Sequence, residues 1–422
     1  MTLEAAATVK QPTLADYAAV VGEQAIRQLE RLAEPFRGKK FVHVNSTRVG
    51  GGVAEILDKM VPLMRELGID ATWEVITGTP DFFQCTKSFH NALQGDPVDI
   101  PERLLREYEE VNRRNAAELK DKLADADFVL IHDPQPAPLL KFIGNRKGTW
   151  IWRCHIDASR PQRQVWRYVR QWVEAYDASI FSLAAFTQAL PHPQYVIPVS
   201  IDPLSDKNRD LSPEEVASVY PRFGLDPERP LILQVSRYDR FKDPVGVIKA
   251  YRMARRYVPG LQLVLVGGGA TDDPEGEAVL AEVREAASDD PDVHVLVLPP
   301  DSHVTINALQ RAADVVLQKS TKEGFGLTVS EAMWKRKPVI GGNVGGIRLQ
   351  VIDYETGFLV NSPEGAALRI RWLLENPERR AKMGERAREH VRENFLLTRH
   401  LREYLTAFLG VHYGNKPRIE LG

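Results

Sequence analysis

Short apolar runs alternate with longer amphipathic stretches along almost the whole chain. The apolar runs predict two series of β-strands, and the amphipathic stretches between them, such as 53–67 and 245–257, predict helices. Strands that alternate with helices build parallel sheets with helices on both faces. Runs as continuously apolar as 261–266 suit strands buried on both sides. The predicted strands lie at 41–44, 72–76, 128–131, 149–153, 179–181 and 195–197, and then at 231–235, 261–266, 293–298, 315–318, 338–340 and 358–360.

A change in composition divides the two series of strands. Residues 198–230 are rich in Pro, Asp and Ser, so we place a domain boundary near residue 200. The pattern therefore predicts an α/β protein with two Rossmann-like parallel-sheet domains, over residues 1–200 and 201–395, that face each other across a cleft. Residues 377–409 are strongly helical and charged, and the C-terminal helix and tail at 396–422 are expected to pack back on the first domain.

The composition is that of a soluble globular protein. A chain of 422 residues, 43% hydrophobic and 27% charged, fits two domains. A net charge of -2 gives no general attraction to nucleic acid or to a membrane, and the apolar runs are too short to cross a bilayer. The two cysteines, Cys85 and Cys154, cannot build a disulfide framework. Because the N-terminus also shows no signal-peptide pattern, we expect a cytoplasmic protein.

Three glycines, Gly50, Gly51 and Gly52, separate the first predicted strand from the helix predicted at 53–67. Glycine lets backbone amides approach a ligand, and a helix N-terminus favours an anion. The alternative is a tight strand-to-helix turn with no ligand, and the spacing does not match the GxGxxG fingerprint of dinucleotide sites. A second glycine run at 341–346 allows the same two interpretations.

Two cations, Arg237 and Lys242, follow the first strand of the second domain. Ligands of open α/β sheets bind at the carboxyl ends of the strands. A guanidinium and an ammonium at that edge can hold a diphosphate. The alternative is a surface ion pair with Asp239 or Asp243.

The sharpest motif is the segment that begins at Glu323 and reaches Glu331. Glu323 enters a loop of Gly324, Phe325 and Gly326 after a predicted strand, and Glu331 lies about one turn into the next helix. The segment presents two carboxylates and the free amides of a helix start. Carboxylates accept hydrogen bonds from sugar and ribose hydroxyls, whereas the alternative is a capping interaction plus a solvated glutamate.

Polar residues also end two strands of the first domain. His155 and Asp157 follow the strand at 149–153, and Asp133 follows the strand at 128–131, so these side chains can reach the cleft. A lone histidine at such a place is more often structural. Residues 78–101, which include Lys87 and His90, are interpreted as a long connection, and connections of this length are often functional.

Taken together, these motifs resemble those of the retaining glycosyltransferases of family four, which have the GT-B fold, and the resemblance covers nearly the whole chain. The glutamate pair with seven residues between, Glu323 and Glu331, is the most specific mark of that family. Arg237 and Lys242 resemble its diphosphate-binding pair. His155 resembles the histidine that contacts the donor sugar and helps with the developing oxocarbenium charge.

The resemblance implies that residues 201–395 bind a sugar nucleotide and that residues 1–200 carry the acceptor. Glu323 would hold the hydroxyls of the donor sugar, and Glu331 would hold the ribose. From position alone, the acceptor is expected near Asp133, Asp157, Lys87 and His90. The implied catalytic residues are Arg237, Lys242, Glu323 and His155, and the implied donor-binding residues are Gly50, Gly51, Gly52, Arg237, Lys242, Gly324, Phe325, Gly326, Leu327 and Glu331.

Three runs, at 43–55, 131–136 and 152–157, resemble the branch of the family that joins glucose from a nucleoside-diphosphate glucose to free glucose, giving α,α-trehalose. Trehalose phosphorylases of the same family are similar in these runs. Further alternatives are a hexosyltransferase with another acceptor, a GT-B-type epimerase and a non-catalytic sugar-nucleotide sensor. The base of the donor is not encoded in readable side chains, and a homodimer is left open.

No metal and no cofactor are expected. A sugar nucleotide has a good leaving group, so the main task is to stabilise charge on the departing diphosphate. Arg237 and Lys242 can do this without a metal. The DxD motif considered as a metal-binding candidate, Asp125 to Asp127, precedes the strand predicted at 128–131 and fits a surface turn.

Overall fold

The computed structural model describes residues 11–49, 51–268, 274–288, 290–414 and 416. In these residues the strands form two six-stranded sheets, and every pair of neighbouring strands is parallel. The strands are β1 Lys40–Asn45, β2 Asp70–Val75, β3 Phe128–His132, β4 Thr149–Cys154, β5 Ala178–Phe181, β6 Gln194–Val196, β7 Leu231–Val235, β8 Gln262–Gly268, β9 Val293–Leu298, β10 Val315–Gln318, β11 Val339–Gly342 and β12 Gly357–Val360.

The strand order is β2-β1-β3-β4-β5-β6 in the first sheet and β12-β11-β10-β7-β8-β9 in the second. The helices that connect and cover the strands are α1 Leu14–Val21, α2 Glu23–Ala33, α3 Gly52–Glu66, α4 Pro80–Leu93, α5 Glu102–Asp125, α6 Leu139–Ile143, α7 Arg163–Val173, α8 Pro213–Ala217, α9 Val219–Phe223, α10 Pro244–Ala254, α11 Pro274–Ala287, α12 His303–Ala312, α13 Leu327–Trp334, α14 Ile347–Gln350, α15 Pro363–Glu375, α16 Pro377–Asn394 and α17 Leu397–His412. The α/β class with two parallel-sheet domains is confirmed, and each predicted strand is present within a few residues.

The interpretation of residues 78–101 as a long connection is wrong, because this segment contains helix α4. Thr79 caps the helix and accepts a hydrogen bond from the backbone N–H of Phe82 at 3.2 Å, and a proline follows at the first helical position. Phe82 and Phe89 are fully buried on one face. The helical spacing of apolar residues was present in the sequence, and the flanking Gly and Pro obscured it.

The C-terminal segment folds back on the first sheet. The helical conformation is interrupted at Phe395 and Leu396, between α16 and α17. At this point Leu396 forms an isolated β-bridge with Ile201. Further along α17, the ring of Phe408 lies 5.2 Å from that of Phe41 on β1 and 5.7 Å from that of Phe128 on β3. This confirms the expected packing of the last helix, while the domain limits at residues 200 and 395 stay predictions.

The carboxyl ends of the two sheets meet across a cleft. A Cβ placed on Gly52, after β1, would lie 2.7 Å from the side chain of Leu327, after β10. A Cβ on Gly324 would lie 3.1 Å from the carbonyl oxygen of His155, which follows β4. The loops at the strand ends of both sheets therefore form one site. In the described part of the chain, no helix is both long enough and apolar enough to span a membrane.

Candidate active site

A cavity of about 200 Å³ lies between the two sheets, and all four predicted catalytic residues line it. From the first sheet it is lined by His155 and Asp157, together with His90 of α4. From the second sheet it is lined by Arg237, Lys242, Glu323, Gly324 and Phe325. Residues that are far apart in the sequence thus face one small volume, which is the size of a sugar rather than of a whole nucleotide.

A largely buried ion pair in this cavity joins Lys242 to Glu323. The ammonium Nζ of Lys242 donates to Oε2 of Glu323 at 2.6 Å, and the two side chains are only 17% and 9% exposed. Ser320 Oγ and Gln318 Nε2 also donate to this oxygen, at 3.1 and 3.5 Å. The predicted alternative for Lys242, an ion pair with Asp243, is absent from the described residues, because Asp243 pairs with Lys319.

Arg237 behaves differently from Lys242. Its guanidinium lies 3.5 Å from Asp239, and its side chain is 60% exposed. The alternative ion pair is therefore present but loose. An exposed guanidinium at the mouth of the cavity remains available to an anionic ligand.

The loop that carries Glu323 is fixed by glycines on both sides. Gly326 has φ +83° and precedes the first residue of α13. A Cβ on Gly345, which has φ +42°, would lie 1.7 Å from the carbonyl oxygen of Glu323. The second glycine run, at 341–346, is thus required for close packing against the loop rather than for an open turn.

Glu331 lines a second cavity, of about 320 Å³, next to the first. Glu331 is 3% exposed, which rules out a solvated glutamate. Leu327 and His303 line the same cavity, as does Lys207, whose Nζ lies 2.6 Å from Oε1 of Glu55. Burial opposes the charge on Lys207, but the carboxylates of Glu331 and Glu55 keep the pKa of its ammonium raised.

A buried lysine, Lys335, contacts two residues that line this second cavity. Lys335 Nζ donates to the Asn208 side-chain oxygen at 2.9 Å and to the backbone oxygen of Glu331 at 3.1 Å. Burial lowers the pKa of Lys335 to about 7. Sequence reasoning missed Lys207, Asn208 and Lys335, since the first two lie in the stretch interpreted as a linker and the third lies in an ordinary helical pattern.

Asp133 holds the end of one strand to the next. Its backbone has φ 65°, and its Oδ1 accepts a hydrogen bond from the backbone N–H of His155 at 2.7 Å. Burial raises the pKa of Asp133 to about 7. The hydrogen bond from His155 occupies one carboxyl oxygen of Asp133. Acceptor binding by Asp133 stays a prediction.

The other predicted acceptor residues lie in the loop after β4 and on helix α4. Asp157 lines the 200 Å³ cavity, and its Oδ1 accepts from the backbone N–H of Ser159 at 2.9 Å. His90 lines the same cavity, and burial, aided by the charge of Lys87, lowers the pKa of His90 to about 4. Lys87 lies one turn earlier on α4 and is exposed.

Of the first glycine run, Gly50 lies outside the described residues. Gly51 has φ +84° and precedes α3, and Gly52 approaches Leu327 across the cleft. The positive φ of Gly51 favours glycine, whereas a Cβ at Gly52 would require the end of the Leu327 side chain to shift. Contact of these amides with a donor stays a prediction.

The described residues hold no cluster of three or more His, Cys, Asp or Glu side chains arranged to bind a metal ion. Asp125 of the DxD motif pairs with Lys40 at 2.5 Å, and both side chains are more than half exposed. This position fits the expected surface turn. Metal-independent activity stays a prediction.

Comparisons with known proteins show the fold and the family of the chain. Residues 43–188 match the family model described as "Trehalose synthase, N-terminal domain", and residues 220–390 match "Glycosyl transferases group 1". An α,α-trehalose-phosphate synthase (UDP-forming) from Burkholderia xenovorans, solved in complex with glucose-6-phosphate, superposes with a TM-score of 0.72 over 87% of this chain and 99% of that chain, at 15% identity. The fold is therefore that of the GT-B glycosyltransferases.

The sequence relatives define the family more closely. The chain is 48% identical over 396 residues to a trehalose synthase of Thermococcus litoralis, covering 93% of this chain and 95% of the relative. It is 28% identical to a trehalose phosphorylase of Pleurotus pulmonarius, covering 96% of this chain and 62% of that protein. The chain belongs to the family-four glycosyltransferases and, within them, to the trehalose synthase family.

Proposed function

We propose that the protein is a retaining glucosyltransferase that makes α,α-trehalose from a nucleoside-diphosphate glucose and free glucose. The observation that carries the proposal is the 200 Å³ cavity, in which Lys242 and Glu323 of one sheet face His155 of the other. A cation and a carboxylate at 2.6 Å suit a sugar diphosphate, because one binds the phosphate and the other binds hydroxyls. The relatives named trehalose synthase support the choice of product.

In this proposal the donor spans both cavities. The glucose occupies the smaller cavity beside Glu323 and the amides of Gly324 to Gly326. The nucleoside occupies the 320 Å³ cavity, where Glu331 accepts from the ribose hydroxyls. The diphosphate lies between them, within reach of Arg237 and Lys242, and amides at the start of α13 add to the positive potential.

The reaction needs charge stabilisation more than acid catalysis. As the bond from the anomeric carbon to the diphosphate breaks, Arg237 and Lys242 stabilise the charge on the departing oxygen. The acceptor hydroxyl attacks from the face that the leaving group vacates, and a phosphate oxygen takes its proton. The α configuration is kept, and the products are trehalose and a nucleoside diphosphate. No step requires a metal, and a cytoplasmic setting belongs to the same proposal.

A trehalose phosphorylase is the second candidate, favoured by the 28% identity to the Pleurotus protein. A phosphorylase uses phosphate in place of the nucleotide and has no ribose to bind. The 320 Å³ cavity beside the buried Glu331 supports the transferase, because inorganic phosphate alone would leave it without an occupant.

The test is a panel of nucleoside-diphosphate glucoses, each incubated with the protein in the presence and in the absence of glucose. We expect release of nucleoside diphosphate with at least one donor, and only when glucose is present. Parallel reactions that contain trehalose and inorganic phosphate, without a nucleotide, test for phosphorylase activity. Glucose 1-phosphate formed from trehalose and phosphate, without any nucleotide requirement, would establish the phosphorylase instead.

A further inference from the structure

Three histidines on neighbouring strands form a row that ends at the smaller cavity. His43 lies on β1, His132 ends β3 and His155 follows β4. Nδ1 of His43 lies 3.1 Å from Nε2 of His132, and Nδ1 of His132 lies 3.1 Å from Nε2 of His155. The rings stack with interplanar angles of 22° and 17°. His43 is fully buried, and His155 lines the cavity.

The register of the sheet produces this row. His43 is paired with Leu130, and His132 is paired with Arg153, so each histidine is two residues further toward the carboxyl end than its neighbour. A step of two residues keeps side chains on one face of a sheet. The row therefore runs diagonally from the sheet interior to the cleft.

All three rings are neutral in this environment. Burial lowers the pKa of His43 to about 3 and holds the pKa values of His132 and His155 well below the usual range. The nearby guanidinium of Arg153 lowers the pKa values of His132 and His155 further. Each ring therefore carries one N–H, and each contact between two rings needs one donor and one acceptor.

The buried end of the row decides the direction of these hydrogen bonds. Within the described residues, Nε2 of His43 is buried and has no hydrogen-bond partner. A proton on that nitrogen would be an orphaned buried N–H, which is rarer in proteins than an unpaired acceptor. The proton of His43 therefore belongs on Nδ1 and is donated to His132 Nε2. His132 is then protonated on Nδ1 and donates to His155 Nε2.

We propose that His132, with His43 behind it, is a positioning residue that fixes the proton of His155 on Nδ1. His155 then presents an N–H donor to the cavity and not a basic nitrogen. The inference rests on the proposed function only in naming the oxygen that accepts this hydrogen bond, a hydroxyl of the donor glucose. It also assigns the removal of the acceptor's proton to a group other than His155.

Nitrogen-15 NMR of the free protein labelled at histidine tests the proton position directly. The chain has ten histidines, and the spectrum of His155→Gln identifies the signals of His155. We expect a protonated Nδ1 and an unprotonated Nε2 for His155 at neutral pH. A protonated Nε2, or a charged ring, would overturn the proposal. Because no substrate is present, this result is independent of which reaction the protein catalyses.

Two matched phenylalanine variants separate positioning from packing. His132→Phe keeps an aromatic ring but removes the N–H that donates to Nε2 of His155, so the His155 signals should move toward a protonated Nε2, and kcat should fall about tenfold. The KM for the donor should change less, because the contact is to the reacting sugar. His43→Phe makes the same change from imidazole to phenyl one strand away. It leaves the hydrogen bond from His132 to His155 in place, so His155 should stay protonated on Nδ1.

Unchanged His155 signals in His132→Phe, or an unchanged kcat, would overturn the positioning role. If His132→Phe does not fold, the wild-type spectrum still decides the proton position. If the protein proves to be a phosphorylase, the tautomer of His155 in the free protein is predicted to be the same. A result that overturns the positioning role of His132 can therefore be distinguished from one that overturns the proposed function.

Discussion

Lys242→Ala is predicted to damage both turnover and folding, because the lysine neutralises a buried carboxylate. Its Nζ lies 2.6 Å from Oε2 of Glu323, and the side chain of Glu323 is only 9% exposed. After the substitution, Glu323 keeps only its neutral donors, Ser320 and Gln318. A buried carboxylate without a cation is unfavourable.

The size of each effect follows from this geometry. Breaking a fully buried ion pair costs about 3–5 kcal/mol. Partial exposure and the two neutral donors reduce this to about 2 kcal/mol, which lowers the Tm of a domain of this size by roughly 4–8 °C. Loss of a cation that is proposed to bind the departing diphosphate should lower kcat by about 10²-fold.

A second substitution separates the two effects. Lys242→Ala combined with Glu323→Gln removes the buried charge, so Tm should recover most of the loss, whereas kcat should not recover. Arg229→Ala is the matched control, because it breaks a 2.6 Å ion pair with Asp292 at the amino ends of the same sheet, away from the cavity. The control should lower Tm and leave turnover near that of the wild type.

Thermal melts and the rate of nucleoside-diphosphate release measure these quantities for all variants. A kcat for Lys242→Ala close to that of the wild type would refute the placement of the diphosphate. Recovery of kcat in the double variant would show that the single substitution had acted only through folding.

Four further predictions concern the same region. Glu331→Gln should mainly raise KM for the donor, and Glu323→Gln should mainly lower kcat, since only the second carboxylate is proposed to hold the reacting sugar; the reverse pattern in steady-state kinetics would exchange their roles. Gly345→Ala should abolish most activity, because its Cβ would lie 1.7 Å from the carbonyl oxygen of Glu323, and wild-type kinetics would contradict this. Burial raises the pKa of Asp133 to about 7, so this carboxyl favours the folded state at low pH, and its contribution to stability is lost as the pH rises from about 4 through 7. Asp133→Asn should therefore flatten the dependence of the unfolding free energy on pH in this window. An unaltered pH dependence would refute the prediction. Turnover should survive a strong chelator, whereas a rate that collapses and returns with magnesium would show that a metal is required.

The fold could be predicted because its strands are continuous apolar runs bounded by turns. Strands buried on both faces, such as β8 and β10, leave the same signal in any parallel sheet. Helix α4 was missed because the flanking Gly78 and Pro80 obscured the helical spacing of its apolar residues. Its buried residues Phe82 and Phe89 are in contact with the aromatic core of the first sheet.

The site was predictable where it is local in sequence and unpredictable where it depends on distant strands. The segment from Glu323 to Glu331 carries its chemistry within one loop and one helix, so its motif could be read directly. The pairing of His43 with His132 spans 89 positions and depends on strand order and register. Lys207 lies in a stretch without a strand or long helix pattern, and only the folded chain places it beside Glu331.

The most direct test of the central claim is the identity of the sugar product. The protein is incubated with unlabelled nucleoside-diphosphate glucose and carbon-13-labelled glucose, and the product is examined by NMR. We predict α,α-trehalose with the label in one of its two rings and one nucleoside diphosphate released for each disaccharide. A disaccharide with a β linkage, a different sugar product, or trehalose that forms only from glucose 1-phosphate would contradict it.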